Sequence, residues 1–256
     1  MASVEEMSGD PWLELAENAN TYTPLGPSDE RIVNDRWVLW MGRENGWNVA
    51  QRFRLSADEV DAARAEIHGV LRERGRSECT WEVGTHATPG DLVDRLLALG
   101  LVDDEPDPYA VGMVLTEPPA QAPLEVDVRR ATSDAEHLTA AKIAAVAFGG
   151  PQPTGARPHD DPLNVVYLAY LDGEPVARGS AAFGEHAVSL FGGATLPEAR
   201  GRGAYRALVA ARWEDAVARG TPVLVTQAGR MSQPILAQLG FRAVCEIRTL
   251  LDRFGC

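Results

Sequence analysis

The chain has 256 residues, 45% of them hydrophobic and 24% charged, a balance that excludes a disordered protein and suits one large or two small globular domains. No run of about 18 uninterrupted apolar residues occurs, so a transmembrane helix is not expected. The acidic start MASVEEMSGD lacks the basic-then-apolar order of a signal peptide. Cys79, Cys245 and Cys256 are an odd number at unrelated spacings, which fits neither a disulfide framework nor a metal site, and a reducing cytoplasm is the expected compartment.

The net charge is −13, and it is unevenly placed. Residues 1–124 carry 10 Arg against 23 Asp and Glu, while residues 125–256 balance 14 basic against 14 acidic residues. Nucleic-acid binding needs cationic side chains that displace counterions, so an acidic chain is not expected to bind it. The acidic half could steer a cationic substrate; solubility alone is the simpler reading. Lys142 is the single Lys among 24 basic residues, a composition bias from which no function follows.

In chain order, Arg36–Met41 and Trp47–Phe53 read as strands around a Gly42–Gly46 turn. Ser56-Ala57-Asp58-Glu59 has the form of a capping box that opens a helix running to about Arg74, with Gly75 as its stop. Cys79–Val83 reads as a strand, Thr88-Pro89-Gly90-Asp91 starts a short helix ending at Gly100, and Tyr109–Leu115 closes the first half as a strand. Trp37, Trp40, Trp47 and Trp81 read as core bulk in preference to an aromatic wall for a ligand. The aperiodic, Pro-rich segment 117–124 is an extended linker. It divides an accessory α/β unit, 1–116, from a second domain, 125–256.

The second half opens with a strand at Val126–Arg130 and a capping box, Ser133-Asp134-Ala135-Glu136, leading a helix to about Phe148. A Gly- and Pro-rich loop, 149–162, follows. Val165–Leu171 and Pro175–Phe183 flank Asp172-Gly173, a strong hairpin signal. Gly184–His186 turns the chain into a strand over Ala187–Leu196. A helix then runs to Arg219 and stops at Gly220, followed by strand Leu224–Gln227, helix Gln233–Leu239 stopped by Gly240, and strand Cys245–Leu251. The order is that of an α/β fold with a mixed sheet. Leu96-Leu97-Ala98-Leu99-Gly100-Leu101 echoes Leu236-Ala237-Gln238-Leu239-Gly240-Phe241. The echo fits either a duplicated unit or the commonness of helices ended by Gly.

The chemistry is concentrated between the strand at Ala187–Leu196 and the helix after it, in Arg200-Gly201-Arg202-Gly203-Ala204-Tyr205-Arg206. Gly201 and Gly203 allow a tight turn and a close backbone approach to a ligand. The helix start leaves N–H groups unpaired at the positive end of its dipole, and Arg200, Arg202 and Arg206 add charge, which together make a receptor for a pyrophosphate. No Gly-Lys-Ser/Thr follows, so this is not a P-loop, and the Gly spacing is not that of a dinucleotide fingerprint.

This segment resembles the coenzyme A loop of the GCN5-related N-acetyltransferase (GNAT) family, Arg/Gln-x-x-Gly-x-Gly/Ala between a strand and a helix. The likeness extends over 126–251, through the Asp172-Gly173 hairpin and the Leu239-Gly240-Phe241 ending. It implies a GNAT-like mixed sheet flanked by helices, preceded by a smaller α/β unit that could be a degenerate tandem copy, since the first half has no such loop. It further implies acetyl-CoA as co-substrate, no metal, and transfer of an acetyl group to an amine, most simply on a small molecule. Backbone groups near Ala194 and Thr195 would hold the pantetheine arm, and Gly201, Arg202, Gly203, Ala204, Tyr205 and Arg206 the pyrophosphate.

Three positions depart from the family. Tyr205 stands where the pattern has Gly or Ala. Leu236 stands where many members have a Tyr that protonates the leaving thiolate, and Ser189 where many have a Glu base. Acid and base are therefore unassigned. Glu185, His186, His159, Asp160, Asp161 and Ser232 are the other polar candidates; a solvated turn, a surface loop and a helix cap are the simpler readings of each in turn. The rival functions are a non-catalytic acyl-CoA-binding module and a protein N-acetyltransferase whose acidic half docks basic tails.

Overall fold

The computed structural model describes residues 10–42, 47–120, 126–155 and 161–255. The Gly42–Gly46 turn, much of the 117–124 linker, and His159 and Asp160 fall wholly or partly outside them. In chain order the elements are helices α1 (Pro11–Glu17) and α2 (Ala19–Tyr22), strands β1 (Glu30–Val33), β2 (Val38–Met41) and β3 (Asn48–Gln51), helix α3 (Val60–Arg72), strand β4 (Glu78–Gly84) and helix α4 (Leu92–Ala98). Then follow β5 (Val102–Asp103), β6 (Tyr109–Leu115), β7 (Asp127–Arg130), α5 (Asp134–Phe148), β8 (Asn164–Leu171), β9 (Glu174–Phe183) and β10 (Val188–Thr195). A short 3-10 turn at Pro197–Ala199 leads to α6 (Ala204–Ala218), β11 (Leu224–Ala228), α7 (Gln233–Gln238) and β12 (Arg242–Arg253).

The chain forms two compact units that are not contiguous in sequence. The first holds the residues up to Met113, Gln227–Gln233 and the segment from Ala243 onward; the second holds Val114–Thr226 and Pro234–Arg242. The last strand of the chain thus packs with the first half.

In the first unit the strand order is β1-β2-β3-β4-β12-β6. β3 and β4 run parallel, and β12 pairs antiparallel with β4 from Ile247↔Gly84 to Arg253↔Glu78. Helix α3 forms because Val60, Ala63, Ile67 and Leu71 recur at helical spacing, and all four are buried. They pack with Phe53, Trp81 and Leu250, and the Phe53 and Trp81 rings stack at 4.8 Å. Trp37 and Trp81 are core residues, as expected; Trp47 is 54% exposed and donates its Nε1–H to Thr80 Oγ1 at 2.8 Å.

The Ser56 capping box is only half formed. The Ser56 N–H and hydroxyl both donate to Glu59 Oε2, at 2.8 and 2.7 Å, but the Glu59 N–H donates to the Ser56 carbonyl, and the helix begins at Val60. A turn through 57–59 has taken the place of the first helical turn. Ser133 and Glu136, in contrast, make both halves of their box at the start of α5.

In the second unit the order is β11-β10-β9-β8-β7. Asp172 (φ +53°) and Gly173 (φ +85°) make the tight turn between β8 and β9 that their sequence calls for. Helices α5 and α6 cover opposite faces of this sheet, which successive residues of β8 show: Leu168 packs with Ala140 and Ile143 of α5, and the Tyr167 hydroxyl donates to Asp215 of α6. Helix α6 also sinks a fully buried side chain, Arg212, against Gly179 of β9. Its Nε donates to the Leu208 carbonyl at 2.8 Å and its Nη1 to the Ser180 carbonyl at 3.1 Å. A Cβ at Gly179 would lie 3.0 Å from Nη1, so the glycine makes room for the guanidinium. Burial lowers the Arg212 pKa.

Candidate functional site

The site expected from the sequence lies wholly in the second unit, and it starts with a break in β10. Residues Val188–Phe191 pair with Phe183–Ser180 of β9, but Ala194 pairs with Arg178, so Gly192 and Gly193 together oppose the single residue Gly179. This is a β-bulge, and Gly192 takes the left-handed φ of +58° that such a bulge demands. The bulge is held from both faces. Arg178 Nη1 donates to the Gly192 carbonyl at 2.7 Å, and a Cβ at Gly192 would lie 2.1 Å from that nitrogen. On the other face a Cβ at Gly193 would lie 2.7 Å from Cε2 of Tyr205.

On its second edge β10 pairs with β11 only briefly, through Val188↔Leu224 and Ser189↔Val225. The Thr226 hydroxyl then donates to the Leu190 carbonyl at 2.9 Å. Beyond that bond, among the described residues, the 191–195 stretch of β10 has no β11 partner in the ladder. Phe191 stands 47% exposed there, an unusual position for an aromatic on an inner strand. The stretch offers backbone N–H and C=O groups to an extended ligand as a strand edge does.

The strand leads through the Pro197–Ala199 turn to the loop. Gly201 (φ +78°) and Gly203 (φ +88°) both sit in the left-handed region. Gly203 is the N-cap of α6, and no side chain caps that end. The first-turn N–H groups therefore lack the acceptor that an Asp or Ser cap supplies, and no acid stands in the first turn. The start of this 15-residue helix, uncapped and turned by two glycines, presents its N–H groups at the positive end of the helix dipole.

Ala194 and Ala204 are buried, Thr195, Tyr205 and Arg206 half-buried, and Arg200 and Gly201 exposed. Two of the arginines are already engaged: Arg202 pairs with Asp172 at 2.8 Å, and Arg206 donates to Gln238 Oε1. The Arg202 pair is open to water on both sides, so it contributes little to stability.

The other polar candidates find local roles. Leu236 is a 1% exposed core residue and Ser189 is buried in the paired part of β10, so neither position supplies an acid or base. Glu185 and His186 lie in the turn closed by the Gly184 N–H to Ala187 carbonyl bond. Asp161 accepts from the Leu163 N–H and Asn164 Nδ2, which ties down the end of its own loop. The Ser232 hydroxyl donates to the Gly229 carbonyl at 3.2 Å instead of accepting from a helix N–H. Sequence reasoning did not single out Gly192, Phe191, Arg178 or Thr226. The Gly192-Gly193 pair inside an apolar strand was the available signal.

The first unit carries the same motif in a closed form. β3 and β4 pair in parallel over Val49↔Thr80 and Ala50↔Trp81, and then α1 and α2 fill the space beyond. Asn20 Nδ2 donates to Gln51 Oε1 and Glu82 Oε2, Gln51 Nε2 to Thr21 Oγ1, and the Glu17 carboxylate accepts from the His86 N–H. Arg52 and Arg54, after β3, are both paired to Glu14 of α1. The Ser56 N–H ahead of α3 is taken by Glu59. Acidic side chains, Glu14 and Glu59, thus engage the cationic and N–H groups of this segment. Burial raises the Glu82 pKa to about 7, only partly opposed by the Gln227 amide that donates to it at 3.2 Å.

No group of His, Cys, Asp and Glu that could hold a metal occurs among the described residues, and no helix there is long and apolar enough to cross a membrane.

No protein-family model matches the sequence, and no curated protein does. Solved structures do. A GCN5-related N-acetyltransferase from Kribbella flavida superposes with a TM-score of 0.68 at 20% identity, covering 89% of this chain and 91% of its own. A tandem GNAT protein from the clavulanic acid biosynthesis pathway gives 0.58 at 12% identity, with 96% and 94% covered. A GCN5-related N-acetyltransferase from Sphaerobacter thermophilus gives 0.57 at 15%, with 88% and 83% covered. These likenesses span both units, which the loop motif alone could not establish. The chain has the fold of these GCN5-related N-acetyltransferases over most of its length.

Proposed function

We propose that the second unit binds an acyl-CoA, acetyl-CoA in the simplest case, and transfers its acyl group to the amine of a small molecule. The observation that carries this reading is the run from a bulged strand with a free edge, through two left-handed glycines, into an uncapped helix. The pyrophosphate would lie on the N–H groups of Gly201–Arg206, with Arg200 and Arg202 at its rim. The pantetheine arm would lie along the free edge of β10 near Ala194 and Thr195. A backbone N–H there would polarise the thioester carbonyl as negative charge develops on its oxygen.

The acceptor nitrogen must be neutral to attack. It forms the C–N bond, the C–S bond breaks, and the nitrogen loses its proton to water while the thiolate takes one up. Leu236 and Ser189 can do neither proton transfer, so the acceleration rests on holding two reactants in line, which can supply several kcal/mol by itself. The closed first unit has no part in donor binding.

The same two positions favour a second reading, a module that binds acyl-CoA without turnover. Calorimetric titration with acetyl-CoA, with adenosine as control, tests the shared part of both. A dissociation constant near ~10 μM, about −7 kcal/mol, is expected, and the absence of heat would remove both. Release of free thiol in the presence of a panel of small amines then separates them, and acetylation of basic peptides alone would overturn the small-molecule acceptor.

A further inference from the structure

We propose that Arg178 is a positioning residue for acyl transfer: it holds the Gly192 carbonyl and so fixes the direction in which the β10 bulge presents its N–H groups to the thioester. The inference rests on the donor site proposed above and goes beyond it by assigning a residue to the geometry of the transfer step. Gly192 and Gly193 stand outside the paired register with β9, so regular pairing does not orient the peptide between them. Arg178 does: its Nη1 donates to the Gly192 carbonyl at 2.7 Å. In a planar trans peptide the carbonyl of one residue and the N–H of the next point in opposite directions. Holding the Gly192 carbonyl therefore also fixes the Gly193 N–H.

A guanidinium is an unusual group to find at this place. Leu168, Arg178 and Ala194 stand side by side on β8, β9 and β10, and directly opposed residues share a face. Leu168 and Ala194 are buried against Ala140 and Ile143 of α5. An apolar side chain would suit that row, whereas a half-buried cation loses hydration that its hydrogen bonds must offset. Both arms of the fork are used: Nη2 donates to the hydroxyl oxygen of Ser180, itself 5% exposed, at 2.7 Å. Gly192 is matched to the guanidinium, since a Cβ there would lie 2.1 Å from Nη1. A positive charge on the carbonyl also strengthens the N–H of the same peptide as a donor. Arg178 thus acts through the bulge and not by touching the donor.

The test reads the thioester carbonyl itself. The infrared band of acetyl-CoA carrying carbon-13 at that carbonyl is compared free and bound to the wild type, Arg178→Lys and Arg178→Met. Dissociation constants of acetyl-CoA and of CoA, which has no such carbonyl, are measured beside it by calorimetry. Binding to the wild type is expected to move the band to lower wavenumber, as a hydrogen bond to the oxygen does. Arg178→Met is expected to lose at least half of that shift while its dissociation constant for CoA stays within threefold of the wild type, a combination that general damage to the fold does not produce. Arg178→Lys, which keeps the charge but not the fork, is expected to fall between the two. A band that does not move on binding to the wild type overturns the proposal without any variant, and a full wild-type shift in Arg178→Met overturns it as well. Where the Met variant does not fold, Arg178→Lys decides, and a full shift in it has the same meaning. Failure of both ligands to bind the wild type is a different result: it removes the donor site itself, and this inference with it.

Discussion

The Thr226 hydroxyl donates to the backbone carbonyl of Leu190 at 2.9 Å, across the last point where β10 and β11 run together. The two strands part beyond it, and their separation leaves main-chain groups of β10 without a β11 partner in the ladder. A side chain satisfying the final carbonyl ends the ladder cleanly, because a buried carbonyl without a donor would cost about 1–3 kcal/mol. The opening that would receive an acyl-CoA arm therefore begins at a defined bond.

Thr226→Val keeps the shape and β propensity of the residue and removes only the hydroxyl. Unfolding in urea is expected to show a loss of about 1–2 kcal/mol from the orphaned carbonyl. A midpoint equal to that of the wild type would show that Leu190 finds another donor.

Gly203→Asp is expected to weaken donor binding. Its backbone φ of +88° is strained for any residue with a Cβ, at a cost of about 1–3 kcal/mol, and its carboxylate would stand at the N-cap where the pyrophosphate is to sit. Titration with acetyl-CoA should show at least ~30-fold weaker binding, or about 2 kcal/mol. Undiminished affinity would place the pyrophosphate elsewhere.

Glu82 makes the stability of the first unit depend on pH. Its folded pKa of about 7 lies above the 4.5 of a free Glu side chain, because burial disfavours its charge. The folded state thus holds a proton that the unfolded chain has released. The sign is a stability that falls as pH rises from about 4.5 to about 7 and is level above, with a slope of at most ~1.4 kcal/mol per pH unit from this one group. Glu82→Gln removes the contribution, so the difference in urea midpoint between variant and wild type should grow from pH 5 to pH 7.5. A constant difference would mean that Glu82 is charged when folded.

Asp252→Asn tests what holds the last strand to the first unit. Asp252 is 1% exposed and accepts from Arg64 Nε and Nη2 at 2.9 and 2.8 Å, with His68 Nε2 at 2.7 Å. These hydrogen bonds and the facing charges hold its pKa below that of a free Asp, against the opposing effect of burial. Neutralising it leaves the Arg64 guanidinium facing a neutral amide, and a loss of about 3 kcal/mol is expected. Thermal unfolding checks it, and an unchanged Tm would show that β-pairing alone anchors β12.

What the sequence determined by itself is local chemistry. The Asp172-Gly173 turn, the Ser133–Glu136 box and the Gly201/Gly203 loop were legible because φ > 0, a cap hydrogen bond and an exposed helix start each depend on residues a few positions apart. Helix α1 was readable in principle, since Asp10 accepts from the Trp12 N–H and Pro11 stands at N1, but seven residues leave little periodicity to see. The four-residue α2 and β1 offer less still.

Tertiary structure alone decided the rest. Nothing near residues 242–253 tells that the last strand pairs with β4, more than 160 residues earlier, because register between distant strands is set by which apolar faces meet and not by either segment alone. The Gly192-Gly193 bulge is a property of β10 against β9, and the closure of the first unit's counterpart depends on Asn20, Gln51 and Glu82 coming together from three elements. A loop motif can be recognised from its own residues; whether the strand beside it is open or filled depends on packing from elsewhere in the chain.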